Sequence, residues 1–222
     1  MKPYRRGLLV LPLLLFCIPF ANAQGSATVS IGVGTAHVKA SGSGIDSLDS
    51  INAFGSCTPG AGDPFCLATP GLNGLLLGFN ADAMVSEHFG IGGEISFLPA
   101  KGNYGPLQFR QLFYDFNGII APVNEKRVVL KLMGGIGGAR TSFSFDQSAC
   151  IGTAICQTST ISLGSSSHFQ LHAGVGLEIY LTQHLFVRPQ FDWRYIPNFT
   201  DQFGKNSVPG GMIWIGFGTG GH

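Results

Sequence analysis

Charge is scarce in this chain. Asp, Glu, Lys and Arg make up 11% of its 222 residues, against roughly 25% in a typical soluble domain. After residue 23 there is also no apolar run as long as the ~18 residues that a membrane-spanning helix requires. A chain of this kind is either an unusually apolar soluble β-protein or a membrane β-barrel. The charges that remain are nearly balanced, with 13 basic and 12 acidic residues, and indicate no basic face for nucleic acid.

Signatures of a catalytic or metal centre are missing as well. No Cys-x-x-Cys occurs and no histidine lies close to a cysteine in the sequence, so zinc ligation is not indicated. No Gly-x-Ser-x-Gly nucleophile motif occurs either. The Gly-x-Gly runs that begin at Gly32 and Gly216 lack a βαβ context and are not nucleotide sites. We therefore expect no metal, no cofactor and no enzymatic activity.

The N-terminal residues 1–23 have the composition of a signal peptide. Lys2, Arg5 and Arg6 form a positive start, a short apolar stretch follows, and the segment ends in Ala-Asn-Ala, a small-x-small cleavage site. We predict that this segment is removed and that residues 24–222 form one domain. Because three basic residues leave with it, the mature chain is slightly acidic.

The pattern of a β-strand is clearest at residues 168–195. Apolar and polar residues alternate along two arms around a short turn at 182–184, and a period of two residues indicates strands rather than helices. One face is apolar, whereas the other carries glycines, amides and a few charges. This is the pattern of a transmembrane β-hairpin with lipid outside and a polar lumen inside. The predicted outward residues are Phe169, Leu171, Ala173, Val175, Leu177, Ile179, Leu185, Val187, Phe191, Trp193 and Tyr195.

Alternation elsewhere predicts six more strands, which makes eight. The short turns at 86–88, 122–125 and 182–184 all fall on one side of the molecule, and the long loops 39–73 and 146–165 fall on the other. Outer-membrane barrels have short periplasmic turns and longer extracellular loops, so both termini should be periplasmic. The other predicted strands are 27–38, 74–85, 89–98, 107–120, 126–145 and 210–217, with a bulge after Gly138.

The predicted fold is therefore all-β, an eight-stranded antiparallel up-and-down transmembrane β-barrel. An open sheet in lipid would leave the polar backbone groups of its edges unpaired, so the first strand must pair with the last. Eight strands leave an interior just wide enough for side chains, which accounts for the glycines on the polar face. A soluble lipocalin-like barrel would invert the faces. Its outer face should be rich in Lys and Glu, whereas the polar face here holds mainly Gly, Ser and Asn.

Charged residues of the polar face are the candidate functional residues. Unpaired charges in a narrow lumen are costly, so we expect them to pair, either as structural filling or as an electrostatic latch on a small passage. The predicted network consists of Asp82, Glu94, Asp115, Lys131, Glu178, Arg188, Asp192 and Arg194. The predicted contacts are a cross-strand Glu178–Arg188 pair, a diagonal Asp115–Lys131 pair, and a group of His172, Asp192 and Arg194.

Four cysteines remain in the mature chain, and three pairings of them are possible. Export to an oxidising compartment favours disulfides. We favour Cys57–Cys66 and Cys150–Cys156, because each bond would close a small loop within one long connection.

A cleavable signal peptide, eight alternating strands and a last strand reading Ile213-x-Ile215-x-Phe217 make the chain similar to a known family. Over nearly all of residues 24–222 it resembles the eight-stranded outer-membrane β-barrels, such as the OmpA transmembrane domain and OmpX. The resemblance implies the outer membrane of a Gram-negative-type bacterium, contact with outer-membrane lipid, and the barrel-assembly machinery as a partner during biogenesis. Family members often end on an aromatic residue that this machinery reads, a role that Phe217 would serve from inside the chain. Lipid A deacylases with this barrel carry His-x-Ser, which is absent here.

Two functions follow from this reading. The first is a structural or surface-interaction barrel with a mostly filled lumen, whose disulfide-stapled loops 39–73 and 146–165 face the exterior and bind an extracellular ligand. Loops on rigid scaffolds commonly carry recognition. The alternative is a narrow passive channel for ions or small solutes.

Overall fold

The structure, a computed structural model, describes residues 26–38, 44–46, 56–57, 62, 66–68, 71–104, 107–151 and 155–219. The predicted signal peptide, residues 1–23, lies outside these ranges. Among the described residues no helix is long and apolar enough to cross a membrane.

Eight long antiparallel strands close into one ring. In ring order the strands are β1 (Ala27–Ala36), β5 (Leu75–Met84), β6 (Phe89–Phe97), β8 (Leu107–Glu125), β9 (Val128–Ile151), β10 (Ile155–Tyr180), β11 (Leu185–Tyr195) and β12 (Ser207–Gly218). The last strand, β12, pairs back onto β1 from Gly218 opposite Thr28 to Gly210 opposite Ala36. Each strand therefore has a neighbour on both sides, as a sheet without edges requires.

Four short strands lie outside the predicted set. β2 (Gly44–Asp46) pairs with β3 (Ser56–Cys57) and with β4 (Cys66–Ala68) in a small separate sheet. The prediction that the whole segment 39–73 is a loop is therefore wrong. β7 (Gly102–Tyr104) folds back on the start of β8, between the predicted strands 89–98 and 107–120.

Two predicted connections are wrong because the strands are longer than expected. The predicted turn at 122–125 is wrong, because β8 continues to Glu125 and the chain turns at Lys126 and Arg127. A register shift between Ile120 and Val123 absorbs Pro122, since proline is tolerated at bulges. The predicted loop 146–165 is likewise mostly strand, because β9 and β10 form one long hairpin.

The predicted bulge after Gly138 is also displaced. β9 keeps a continuous register through Gly138 with both neighbours, and the irregularity lies on β10 between Ser162 and Gly164. Small residues after Gly138 blurred the alternation in the sequence without interrupting the ladder.

Alternation places the faces as predicted. Large apolar side chains point outward and are exposed, among them Ile31, Phe79, Phe116, Phe191 and Ile215. Polar and charged side chains point inward and are buried. Such an inverted arrangement buries charge and exposes hydrocarbon, which is stable only where hydrocarbon surrounds the barrel.

The barrel interior has three layers. Apolar residues fill it at the end that carries the longer connections, charged residues occupy the middle, and a smaller apolar group lies at the end with the short turns. We name the two apolar groups the loop-end plug and the turn-end plug. The loop-end plug consists of Ala36, Val38, Leu72, Leu76, Leu98, Phe109, Phe113, Ala139, Phe143, Ile196, Phe199, Phe203, Val208, Met212 and Trp214. The turn-end plug consists of Met84, Ile119, Ala121, Val129 and Met133.

Part of the loop-end plug comes from the connection between β11 and β12. After β11 the chain makes a single 3-10 turn, Phe199–Asp201, and places Phe199 and Phe203 in full burial. Phe203 packs edge-on against Phe109, with ring centroids 5.3 Å apart. The 196–206 connection is thereby folded into the mouth of the barrel.

Trp214 explains two of the interior glycines. Its ring lies against Gly32 of β1 and Gly78 of β5, and a β-carbon at either glycine would overlap the ring. The largest side chain of the plug is therefore accommodated by the smallest residues on the facing strands.

We expect Gly32→Val to destabilise the barrel by about 1–3 kcal/mol, the usual cost of overpacking. The matched control is Thr35→Val, which changes an outward position of the same strand and should have little effect. Urea unfolding of both variants in phosphatidylcholine vesicles, followed by tryptophan fluorescence, measures the difference. Equal midpoints for the two variants would contradict the packing of Trp214 described here.

Candidate functional site

A quartet of two acids and two bases occupies the turn-side half of the charged layer. Asp82, Lys131, Glu178 and Arg188 come from β5, β9, β10 and β11, and all are almost completely buried. Lys131 Nζ lies 3.0 Å from Asp82 Oδ2 and 2.6 Å from Glu178 Oε1. Arg188 Nη1 lies 2.8 Å from Asp82 Oδ2 and 3.3 Å from Glu178 Oε1. Each cation thus contacts both acids, and the quartet is electrically neutral.

A second cluster lies on the loop side of the quartet and joins β6, β8, β10 and β11. Arg194 Nη2 contacts Glu94 Oε1 at 2.8 Å, and its Nε lies 3.6 Å from Asp115 Oδ2. His172 Nε2 lies 3.0 Å from Asp192 Oδ1. With three acids, one arginine and one histidine, this cluster is richer in acid than the quartet.

Amide side chains connect the members of the second cluster. The Gln190 amide donates to Glu94 at 2.8 Å and to Asp192 at 2.7 Å. Gln170 donates to Asp115, and the ring of His172 contacts Asn117 Oδ1 at 2.8 Å. Neutral donors spread between carboxylates lower the repulsion that three buried acids would otherwise have.

Aromatic rings join the charged layer to the loop-end plug. The Arg188 guanidinium lies 5.5 Å from the ring centroid of Trp214, and that of Arg194 lies 5.1 Å from the ring centroid of Phe113. Both distances are within the range of cation–π attraction. Sequence reasoning missed this role of Trp214, although its phase, opposite to Ile213 and Ile215, placed it inward.

All eight predicted network residues are buried in the lumen. The predicted Glu178–Arg188 contact is present at 3.3 Å, and His172 lies beside Asp192. The predicted Asp115–Lys131 pair is wrong. Lys131 instead binds Asp82 and Glu178, because it lies deeper toward the turns than Asp115.

The β9–β10 hairpin extends well beyond the rim of the barrel. β9 and β10 stay paired from Val128 opposite Ile179 to Ile151 opposite Ile155. By contrast, the pairing of β9 with its other neighbour, β8, ends at Ser144. The pairing of β10 with its other neighbour, β11, ends at Leu171. The hairpin tip is thus a two-stranded ribbon within the described residues.

An ion pair ties the base of this ribbon to the connection after β6. Lys101 Nζ lies 3.2 Å from Asp146 Oδ1, and the Thr160 hydroxyl donates to the same oxygen at 2.6 Å. The Thr160 hydrogen bond, followed by that of Lys101, lowers the pKa of Asp146. The contact therefore persists when the pH is above the ordinary aspartate pKa, and it is lost as the pH falls through the lowered pKa of Asp146.

Backbone positions of the cysteines differ between the two predicted disulfides. Cys150 and Cys156 face each other directly across the hairpin. Cys57 and Cys66 lie on β3 and β4, on opposite sides of β2, and strands two positions apart are separated by about 9.6 Å. That exceeds the usual span of a disulfide. The cysteine side chains lie outside the described part of the structure, so both pairings stay predictions.

Among the described residues no cluster of three or more His, Cys, Asp or Glu side chains is arranged to hold a metal ion.

Comparisons with known proteins find one family profile and several similar solved structures. The sequence profile of the outer membrane protein beta-barrel domain matches residues 8–219. Ail of Yersinia pestis, solved in complex with the heparin analogue sucrose octasulfate, superposes with a TM-score of 0.51 at 13% identity, covering 87% of this chain and 98% of Ail. No curated protein sequence matches.

Two further solved barrels are similar. Neisserial surface protein A (NspA) gives a TM-score of 0.49 at 14% identity, covering 88% of this chain and 96% of NspA. OprG of Pseudomonas aeruginosa gives a TM-score of 0.45 at 15% identity, covering 90% of this chain and 100% of OprG.

We expect Asp82→Asn to cost roughly 3–5 kcal/mol of stability, because it leaves two buried cations to share Glu178. Adding Lys131→Met should recover part of the loss, since it removes the excess cation. Glu87→Gln, in the exposed turn after β5, is the matched control and should change stability by less than about 0.5 kcal/mol. Urea unfolding in lipid vesicles gives all three values. A double variant less stable than Asp82→Asn alone would contradict the quartet.

Proposed function

Because the chain belongs to the outer membrane protein β-barrel family, we propose that it is a closed barrel that holds the β9–β10 hairpin at the outer cell surface. Family membership places it in the outer membrane of a Gram-negative bacterium. In the proposal the short turns and both termini face the periplasm, and the longer connections face outward. The outward aromatic Phe217, 53% exposed, serves the barrel-assembly machinery from inside the chain.

The three-layered interior is the observation that carries the proposal. A solute entering from the loop end would have to displace Phe199 and Phe203, both fully buried. It would then meet paired charges, and after these the turn-end plug. Apolar plugs at both ends exclude water, and a water-filled path is what distinguishes porins from small filled barrels.

The hairpin supports an interaction role because of its free edge. Within the described residues, β10 pairs only with β9 between Ile155 and Gln170. Unpaired N–H and C=O groups along a strand edge can accept a further strand from a partner. Natural edges are commonly protected by lysine, proline or charge, and the stretch 158–167 of β10 contains none of these.

The chemistry of this edge favours a particular class of partner. The stretch 158–167 consists largely of serine, threonine and glycine, so it offers backbone hydrogen bonds rather than charge. We infer that the partner supplies an extended polypeptide segment that adds to the β10 edge. A disulfide between Cys150 and Cys156 would hold the two strands of the hairpin in register at its tip.

The alternative function is a narrow passive channel. The neutral quartet is the observation that favours it, because alternative pairings of two acids and two bases could open and close a passage. Both readings agree on the barrel, and they differ in whether ions cross it.

Planar-bilayer conductance separates the two functions. We expect the mature protein, residues 24–222, to be electrically silent once protease protection shows that it has inserted. Discrete openings would contradict the closed barrel. In that case Arg188→Ala should enlarge them if the quartet controls the passage.

The free edge can be tested by one substitution. The Tyr180 N–H donates toward β9 and the Leu181 N–H toward β11. Since N–H groups alternate along a strand, the N–H of Ser167 points away from β9 to the free edge. Ser167→Pro therefore removes an edge donor and spares the hairpin, whereas Ser167→Ala keeps the donor and serves as the control.

We expect peptides selected from a random library against the protein in lipid nanodiscs to bind Ser167→Pro about tenfold more weakly. Their affinity for Ser167→Ala should equal that for the unchanged protein. Fluorescence anisotropy measures all three affinities. Selected peptides that do not distinguish proline from alanine would argue against strand addition at β10.

A further inference from the structure

Two arginines lie close together on the outer surface of β8 and β9. Arg110 and Arg140 are both exposed. Arg110 is opposite Ser142, and Arg140 is opposite Leu112. The two arginines are therefore diagonal neighbours on the outward face, with their Cα atoms roughly 7–8 Å apart. Within the described residues neither guanidinium has a carboxylate at ion-pair distance, and the one polar contact of Arg140 is to the Ser165 hydroxyl at 2.9 Å.

Their height on the barrel is that of a membrane interface. Below them the outward face is continuously apolar, with Tyr114 46%, Phe116 61% and Ile120 48% exposed. The stretch from Ile120 up to Arg110 rises about 25 Å along the barrel axis at ~3.3 Å per residue and ~40° tilt. This equals the ~25 Å height of a lipid-facing apolar band, so the guanidinium groups lie where lipid headgroups begin.

The surface directly below the arginines is apolar and includes the ring of Tyr114. Tyr114 lies over Gly138 of β9, where a β-carbon would overlap its ring. Ile136, 57% exposed, continues the apolar surface downward on the same strand. A ligand that places its anionic group beside the arginines would therefore lay its hydrocarbon along β8 and β9.

Charge complementarity identifies the occupant. Two cations this close repel each other unless an anion lies between them. Guanidinium groups bind phosphate oxygens with paired N–H donors, and the hydroxyls of Ser142 and Ser165 add neutral donors beside them. A soluble anion would not require the apolar surface below, whereas a phosphorylated lipid uses both parts.

We propose that Arg110 and Arg140 bind the phosphate groups of a phosphorylated lipid in the outer leaflet, whose acyl chains lie along the exterior of β8 and β9. The leaflet assignment rests on the proposed orientation, with the longer connections facing outward. The site lies outside the lumen, so it is independent of the closed barrel. It adjoins the proposed edge strand, because Arg140 is opposite Ser167 of β10 and contacts Ser165.

Native mass spectrometry of the mature protein in detergent micelles tests the proposal. The probe is diphosphorylated lipid A, and the comparison ligand is the same lipid after enzymatic dephosphorylation. We expect binding of the phosphorylated form only, weakened roughly tenfold by Arg110→Ala and again by Arg140→Ala. The variant with both arginines replaced by lysine keeps the charge but loses the paired donors, and should bind with intermediate affinity.

Arg127→Ala is the matched control, because it removes an exposed arginine at the opposite rim of the barrel. It should leave binding unchanged, and retained heat-modifiable mobility shows that every variant is folded. Equal binding of the dephosphorylated lipid, or full binding by the double alanine variant, would overturn the proposal. So would an equal loss with Arg127→Ala, or displacement of the lipid by inorganic phosphate, which would indicate a site for soluble anions.

This measurement is made in micelles and does not depend on which side of the membrane the loops face. A negative result would therefore count against the arginine site alone. The closed barrel and the strand edge are tested by conductance and by peptide affinity.

Discussion

The pairing of β12 with β1 is the constraint on which the rest of this structure depends. In hydrocarbon every backbone N–H and C=O of the spanning strands must find a partner, and the register from Thr28 opposite Gly218 to Ala36 opposite Gly210 provides the last set. Closure with eight strands fixes a narrow interior. Side-chain volume then becomes the limiting quantity inside, while outside only apolarity is required.

The interior meets this limit by matching large residues with small ones. Trp214 fits because Gly32 and Gly78 face it, and it lies beside the Arg188 guanidinium. The charged layer is shielded from water by apolar residues at both ends, so its ion pairs lie in a low dielectric where unpaired charge would be costly. The charged layer and the plugs thus stabilise each other.

Much of the fold could be predicted from the alternation of apolar and polar residues, because that pattern records which side of each strand meets lipid. It gave the number of strands, their faces and the inward position of the charged residues. It could not give the partners of those residues. Lys131 and Asp82 are on β9 and β5, which are not neighbours in the ring, and such contacts across a lumen leave no spacing in the sequence.

Other errors have the same origin, since the pattern exists only where one face meets hydrocarbon. Above the rim both faces of the β9–β10 hairpin meet a similar environment, so the extension beyond Phe145 showed no alternation and was predicted as a loop. A turn was predicted at Pro122 because proline is common in turns, whereas the register shift beside it allows proline within a strand. The burial of Phe199 and Phe203 depends on a cavity that exists only in the closed ring.

The quartet also has a consequence for the order of events during assembly. Asp82 lies on β5, whereas its two cations lie on β9 and β11, so the contacts span 49 and 106 residues of chain. Such non-local contacts form late, because the intervening chain must first be ordered. In a partly closed sheet these side chains would stay hydrated, and they lose that water only when the ring shuts. Closure and charge pairing are therefore one cooperative event, and the hydration of the quartet opposes premature collapse of the barrel while strands are still being added.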